Sequence, residues 1–176
     1  AFSPTVARRL EPEFQEIATE LIDAMKAKVE ADEEIEFIGD FAEPFATRAL
    51  CAMMGLSHEH WPFIADRANT VGYALSVSIK EDIERIDVAV QELYEFVDQL
   101  IRERKAEPGQ DVVSRLVQFS EAGDKLTDAE LRNALVLMLF GGMDTTRNQL
   151  GLILQTYMRN PDQWELLAER PEEFAK

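Results

Sequence analysis

Apolar residues recur along this chain at spacings of three and four, almost without a break, and that period predicts helices. Phe14, Ile17, Leu21, Met25 and Val29 mark one amphipathic helix ending near Ala31. Ser3-Pro4 reads as a cap followed by proline at the first helical position, and Pro12 reads as a second helix start of the same kind. Ile35 to Ile38, "IEFI", alternates instead and predicts at most one short strand. A helix follows from Phe41 to Met54, with Gly55 as its stop. Ser57 caps a third helix, from His58 to about Ala74. "YALSVSI" reads as a loop. From Lys80 onward Ile83, Ile86, Val90, Leu93, Val97 and Leu100 keep a near-heptad spacing, which predicts a long helix packed on one neighbour. Its basic end is broken by Pro108-Gly109, a short helix covers Val112 to Ser120, and a turn is expected at Gly123.

The clearest start signal comes next. Thr127 and Glu130 form a capping box, with Leu126 and Leu131 placed as its hydrophobic staple. The helix they open can run to Asn160, where Asn-Pro ends it, giving a spine of about 33 residues and about 50 Å. The expected fold is therefore mainly α: several helices around one long central helix, about 127–160, with at most one short strand near 35–38. No repeat, low-complexity tract or linker divides the chain, so residues 1–176 read as one unit.

In the middle of that spine lies "LFGGMDTT". Two adjacent glycines each cost a helix about 1 kcal/mol relative to alanine, and a carboxylate in apolar surroundings is costly without partners. On helical spacing Gly141 and Gly142 form a flat notch, with Asp144 and Thr145 on its edge one turn later. A hydroxyl such as that of Thr145 can bond a carbonyl one turn earlier. Two accounts fit. The notch can admit a wide, flat cofactor beside an acid and a hydroxyl, or it can admit a close helix crossing where the helix emerges into solvent.

Charge narrows the classes of partner. Asp and Glu number 34 against 18 Lys and Arg, a net charge of −16. That balance argues against nucleic acid and against anionic membrane surfaces, and the apolar run from Ala134 to Met143 is too short to span a bilayer. The single cysteine, Cys51, permits no intrachain disulfide and fits a reducing, cytoplasmic setting. Cys51 lies on a predicted apolar helix face, where a free cysteine is plain core. His58 and His60, two apart on a helix, point to different sides and do not suit one metal. The acidic stretches "EADEEIE" and "KEDIERID" read as solvated faces, and Trp61 and Trp164 as packing anchors.

The segment Gly141 to Thr146 resembles the central-helix motif of the cytochrome P-450 family, the haem-thiolate monooxygenases: Ala or Gly, Gly, any residue, Asp or Glu, Thr, then Thr or Ser. Its surroundings, "GDKLTDAELRNALVLMLF" before and "LILQTYMRNPDQWELLAERPE" after, are similar to the bacterial branch, as are "AFSPTVARRLEPEFQEIATELID" and "RKAEPGQDVVSRLV". The resemblance implies roles. Leu137, Met138, Gly141 and Gly142 would lie against a haem b, Phe140 would line the substrate cavity, and Asp144 and Thr145 would relay protons to oxygen at the iron. It also implies dioxygen, a small apolar substrate, and electrons from NAD(P)H through a ferredoxin or similar carrier. The stretch from His58 to about Arg104 would roof the pocket, with Phe63, Tyr73 and Leu75 read as core or pocket lining. The family's thiolate loop, its Glu-x-x-Arg helix and its His-x-x-x-Arg segment have no counterpart here. The expectation is therefore a central fragment with no iron ligand of its own, inactive by itself. The alternative is a non-enzymatic acidic helical module that binds a protein partner.

Overall fold

A computed structural model describes residues 4–77, 79–121 and 126–174, and among them every regular element is helical. Ser3 and Gly123, expected as a cap and a turn, lie outside the described residues. Helix α1 spans Pro4–Glu30 and runs straight through Pro12, so the second start expected there does not occur. Pro12 and Arg8 are both exposed, so the carbonyl that loses its donor at the proline faces water. Buried Leu10 and Ile17, on the other side, keep the helix docked.

No strand forms at Ile35–Ile38. Instead a π-helical turn, Ile38–Ala42, leads into α2, Glu43–Met54. The cause is reciprocal capping by two acids, Asp40 and Glu36, the latter in a stretch that reads as merely solvated. The Glu36 carboxylate accepts from the backbone N–H groups of Ile38 (3.1 Å) and Gly39 (2.6 Å), and Asp40 accepts from that of Glu36 at 2.9 Å. Lys28 reaches the same Asp40 from α1 at 2.5 Å. That hydrogen bond holds the Asp40 carboxyl below its ordinary range and raises the lysine. Phe37, Phe41 and Phe45 stack in a ladder along this junction, at 5.4 and 5.5 Å between ring centroids.

Gly55 ends α2 in the left-handed region, at φ 69°. Ser57 caps a single 3-10 turn, His58–His60, which passes into α3, Trp61–Gly72. A second 3-10 turn, Tyr73–Leu75, carries the chain toward α4, Ile79–Ala106. There the structure departs from the expected core: Tyr73 and Leu75 are exposed, Leu75 by 80 %, whereas Phe63 packs inward. Helix α5 covers Val112–Glu121. The capping box at Thr127 and Glu130 is present with both reciprocal bonds, and the two Thr127 donors lower the Glu130 carboxyl. It opens α6, Asp128–Arg159, whose 32 residues match the expected spine. Two short helices, α7 (Pro161–Glu169) and α8 (Pro171–Phe174), follow. Trp164 is a half-open anchor, set edge-on to Tyr157 at 5.6 Å.

The core lies where α2, α3, α4 and α5 meet α6. Leu131, Leu135, Leu139 and Met143, four apart on α6, are fully buried, and Leu93, Val97 and Leu100 of α4 and Val113 and Val117 of α5 join them. At roughly 1.5–3 kcal/mol per buried aliphatic side chain, this stripe is what fixes α6 in place. No described helix is long and apolar enough to cross a membrane.

Candidate active site on the central helix

The buried stripe uses only one side of α6. A second stripe, Leu137, Gly141, Thr145 and Leu152, faces outward, with Leu137 67 % and Leu152 58 % exposed. The two glycines divide between these sides. A Cβ on Gly142 would come within 2.9 Å of Leu50 Cδ1 on α2, so this glycine permits the α2–α6 crossing. A Cβ on Gly141 would meet nothing within 4 Å. The notch therefore divides: Gly142 serves a helix crossing, and Gly141 stays open on the other side of the helix.

That division makes a prediction. Gly141→Ala relieves a helix-interior glycine without a steric conflict, and should stabilise the protein by about 1 kcal/mol. Urea unfolding of this chain without cofactor checks this; a loss of stability would mean that the Gly141 side of α6 is not open.

Thr145 Oγ1 donates to the Gly141 carbonyl at 2.9 Å, the back-bond expected of it, and Thr146 does the same to Gly142 at 3.2 Å. Thr145 is exposed on the open face. Asp144 points elsewhere, because successive helical residues lie about 100° apart. One carboxylate oxygen accepts from the guanidinium of Arg147, and the other accepts from Asn148 Nδ2 at 3.1 Å. Asp144 and Arg147 wall a cleft of about 510 Å³ together with Asn69, Gly72, Tyr73, Leu75 and Ser76. The acid therefore lines a recess under the turn after α3.

Leu137 stands on the open face beside Gly141. Met138 and Phe140 are half-buried and pack against the helical core. Cys51 is fully buried on α2, and burial pushes its thiol up to about 11, far from a thiolate at neutral pH. His58 faces Glu13 at 3.0 Å and His60 lies edge-on to Phe96, so the pair diverges as expected. Among the described residues no cluster of His, Cys, Asp and Glu could hold a metal ion.

Three residues of this site escaped the sequence reading. Arg147 was legible, since an acid and a base three apart on a helix are neighbours. Glu43 and Asn69 also bind Arg147, but they come from other helices, and no local spacing announces them.

The family model described as cytochrome P-450 matches residues 60–169. Luteothin monooxygenase of Streptomyces thioluteus is 26% identical over 97% of this chain and 41% of its own length. Mycinamicin IV hydroxylase/epoxidase of Micromonospora griseorubida is 30% identical, over 98% of this chain and 42% of its own. The crystal structure of a mycinamicin VIII methyl hydroxylase from the same organism, bound to mycinamicin VIII, superposes with a TM-score of 0.80 at 27% identity, covering 98% of this chain and 42% of that one. The chain thus spans about two fifths of the length of the relatives it matches. With a family model matched across more than half of its residues and the same helical arrangement in solved members, the chain belongs to the cytochrome P-450 family.

Proposed function

We propose that the complete protein is a haem-dependent monooxygenase acting on a small apolar organic substrate, and that this chain supplies its central helix and pocket roof. The observation that carries this reading is the open Gly141–Thr145 unit: a bare helical notch, flanked by exposed Leu137 and Leu152, with a hydroxyl on its rim. Those residues fit a flat apolar macrocycle. Leu137, Gly141 and, more deeply set, Met138 would hold it, Gly142 would bring the notch to its place by seating α6 on α2, and Phe140 would border the substrate. A haem b bound there would supply dioxygen activation, with electrons from NAD(P)H through a ferredoxin or similar carrier.

The chain's own part is the delivery of protons. Thr145 has spent its donor on Gly141, which leaves its oxygen lone pairs free to hold a water at the rim. Asp144 exchanges protons with water in the adjacent cleft and passes them to the Thr145 side, the work of a positioned acid. These 176 residues contain one cysteine, buried and protonated, so by themselves they offer iron no thiolate and no turnover is expected of them. A single cysteine and an acidic composition favour a cytoplasmic setting.

A carbon monoxide difference spectrum of the reduced protein tests the reading. A Soret band at the thiolate position in the complete protein, and none from this chain alone, is the expected pair of results. Absence of haem in both would leave the acidic helical module as the better account.

A further inference from the structure

Arg147 occupies a junction of three helices. One Nη donates to Asp144 on its own helix. The other donates to Glu43 Oε2 on α2 at 3.1 Å and to Asn69 Oδ1 on α3. Asn69 turns its amide nitrogen to the same Glu43 oxygen at 2.6 Å, which closes a ring of three side chains across α2, α3 and α6. All three are at most half-exposed. With Asn148 on its second oxygen, Asp144 has both acceptors filled.

A guanidinium is a rigid planar fork. It cannot keep Asp144 on one nitrogen while its other nitrogen changes partners freely, because the two ends turn together. The end away from Asp144 is set by Asn69. That residue lies on the last turn of α3, just before the exposed Tyr73–Leu75 segment, and the same segment walls the cleft into which Asp144 opens. A displacement of α3 or of that turn must therefore be felt at the Asp144 carboxylate.

We propose that Arg147 is a positioning residue for Asp144, and that Asn69 ties it to α3, so that proton delivery depends on α3 being seated on the central helix. The proposal rests on Asp144 being the proton relay. Asp144 is bonded by Arg147 and Asn148, whereas Asn69 and Glu43 bond Arg147, so both reach the carboxylate through it. With α3 seated, the carboxylate is held in one direction at the cleft mouth. With α3 lifted, the ring opens and Asp144 swings with the released fork.

The test uses the complete, haem-loaded protein and three variants: Asn69→Ala, Asp144→Asn and their combination. In Asn69→Ala, amide hydrogen exchange over residues 144–148 of the substrate-free protein should speed by about tenfold, as a local clamp is released. Product formation should slow by about fivefold with a larger solvent deuterium isotope effect, while substrate affinity stays within about twofold. Added to Asp144→Asn, the same change should have almost no further effect on product formation, since residues acting as one unit are non-additive. Independent, multiplicative losses would overturn the coupling, as would unchanged exchange at 144–148. If Asp144→Asn alone left product formation intact, the relay assignment would fall and this proposal with it, a result distinct from failure of the coupling. Should Asn69→Ala not accumulate as folded protein, Asn69→Ser removes the same two bonds with less loss of polarity and carries the same expectations.

Discussion

Replacing Thr145 by alanine in the complete protein is expected to cut the product formed per NAD(P)H consumed by about tenfold, with the missing reducing equivalents recovered as hydrogen peroxide. The argument is local. Thr145 carries a hydroxyl on the open stripe of α6, one turn from the bare Gly141. Its hydroxyl donates to a backbone carbonyl, so the helix orients the oxygen before any substrate arrives. Alanine removes that hydroxyl together with the γ-methyl. It touches no core residue, and it is a better helix former than threonine, so thermal stability should be equal or higher. Thr145→Ser restores the hydroxyl and should restore most of the coupling. Parallel assay of product, NAD(P)H and peroxide measures the effect; unchanged coupling in a folded Thr145→Ala variant would remove the residue from proton delivery.

The legible part of this fold was the part written in local spacing. The limits of α6 follow from Thr127, Glu130 and the Asn160-Pro161 break, all within a turn of the ends they define. Gly55 and Ser57 announce a stop and a start for the same reason. The failures share a cause as well. Pro12 reads as a helix start because its ring forbids one hydrogen bond, but whether that bond is needed depends on which side faces water, a tertiary matter. "IEFI" reads as a strand because its alternation is real, yet Glu36 and Asp40 cap a helical turn there. Tyr73 and Leu75 carry apolar content that stays exposed, Tyr73 beside the Arg85 guanidinium and Leu75 on the open surface.

The candidate site divides along the same line. Gly141, Asp144 and Thr145 were visible as a motif, whereas sequence alone could not say that Gly142 serves α2. That role requires Leu50, ninety-two positions away. Nor could it show that Arg147 gathers Glu43 and Asn69. A motif names the residues on one helix, and the direction each side chain finally takes is set by the helices packed around it.

The largest loss of stability is expected at a residue outside the site. Asp111 caps the start of α5 and accepts three hydrogen bonds: from the Ser114 amide at 2.7 Å, from Ser114 Oγ at 3.0 Å and from Arg104 Nε at 3.0 Å. Arg104 spends its other arm on the Gly55 carbonyl, 2.6 Å away, while Ser114 Oγ accepts from the Gly109 amide at 2.8 Å. One carboxylate, 13 % exposed, therefore ties the end of α4, the left-handed stop of α2 and the start of α5 together. Asp111→Ala removes a charged cap and leaves a largely buried guanidinium with one neutral partner. The cost should be about 3 kcal/mol, since hydrogen bonds to charged groups contribute about 1.5–3 kcal/mol each and do not add fully. Asp111→Asn keeps an acceptor for the Ser114 amide and should lose about half as much. The geometry around Gly55 sharpens the contrast: a Cβ there would lie 2.4 Å from Asp111 Cβ, so the aspartate packs directly on the turn it stabilises. Equilibrium urea unfolding of the two variants decides the matter. A cost below about 1 kcal/mol for Asp111→Ala, the range of an exposed pair, would mean that the three-helix junction is held by its apolar neighbours rather than by this carboxylate.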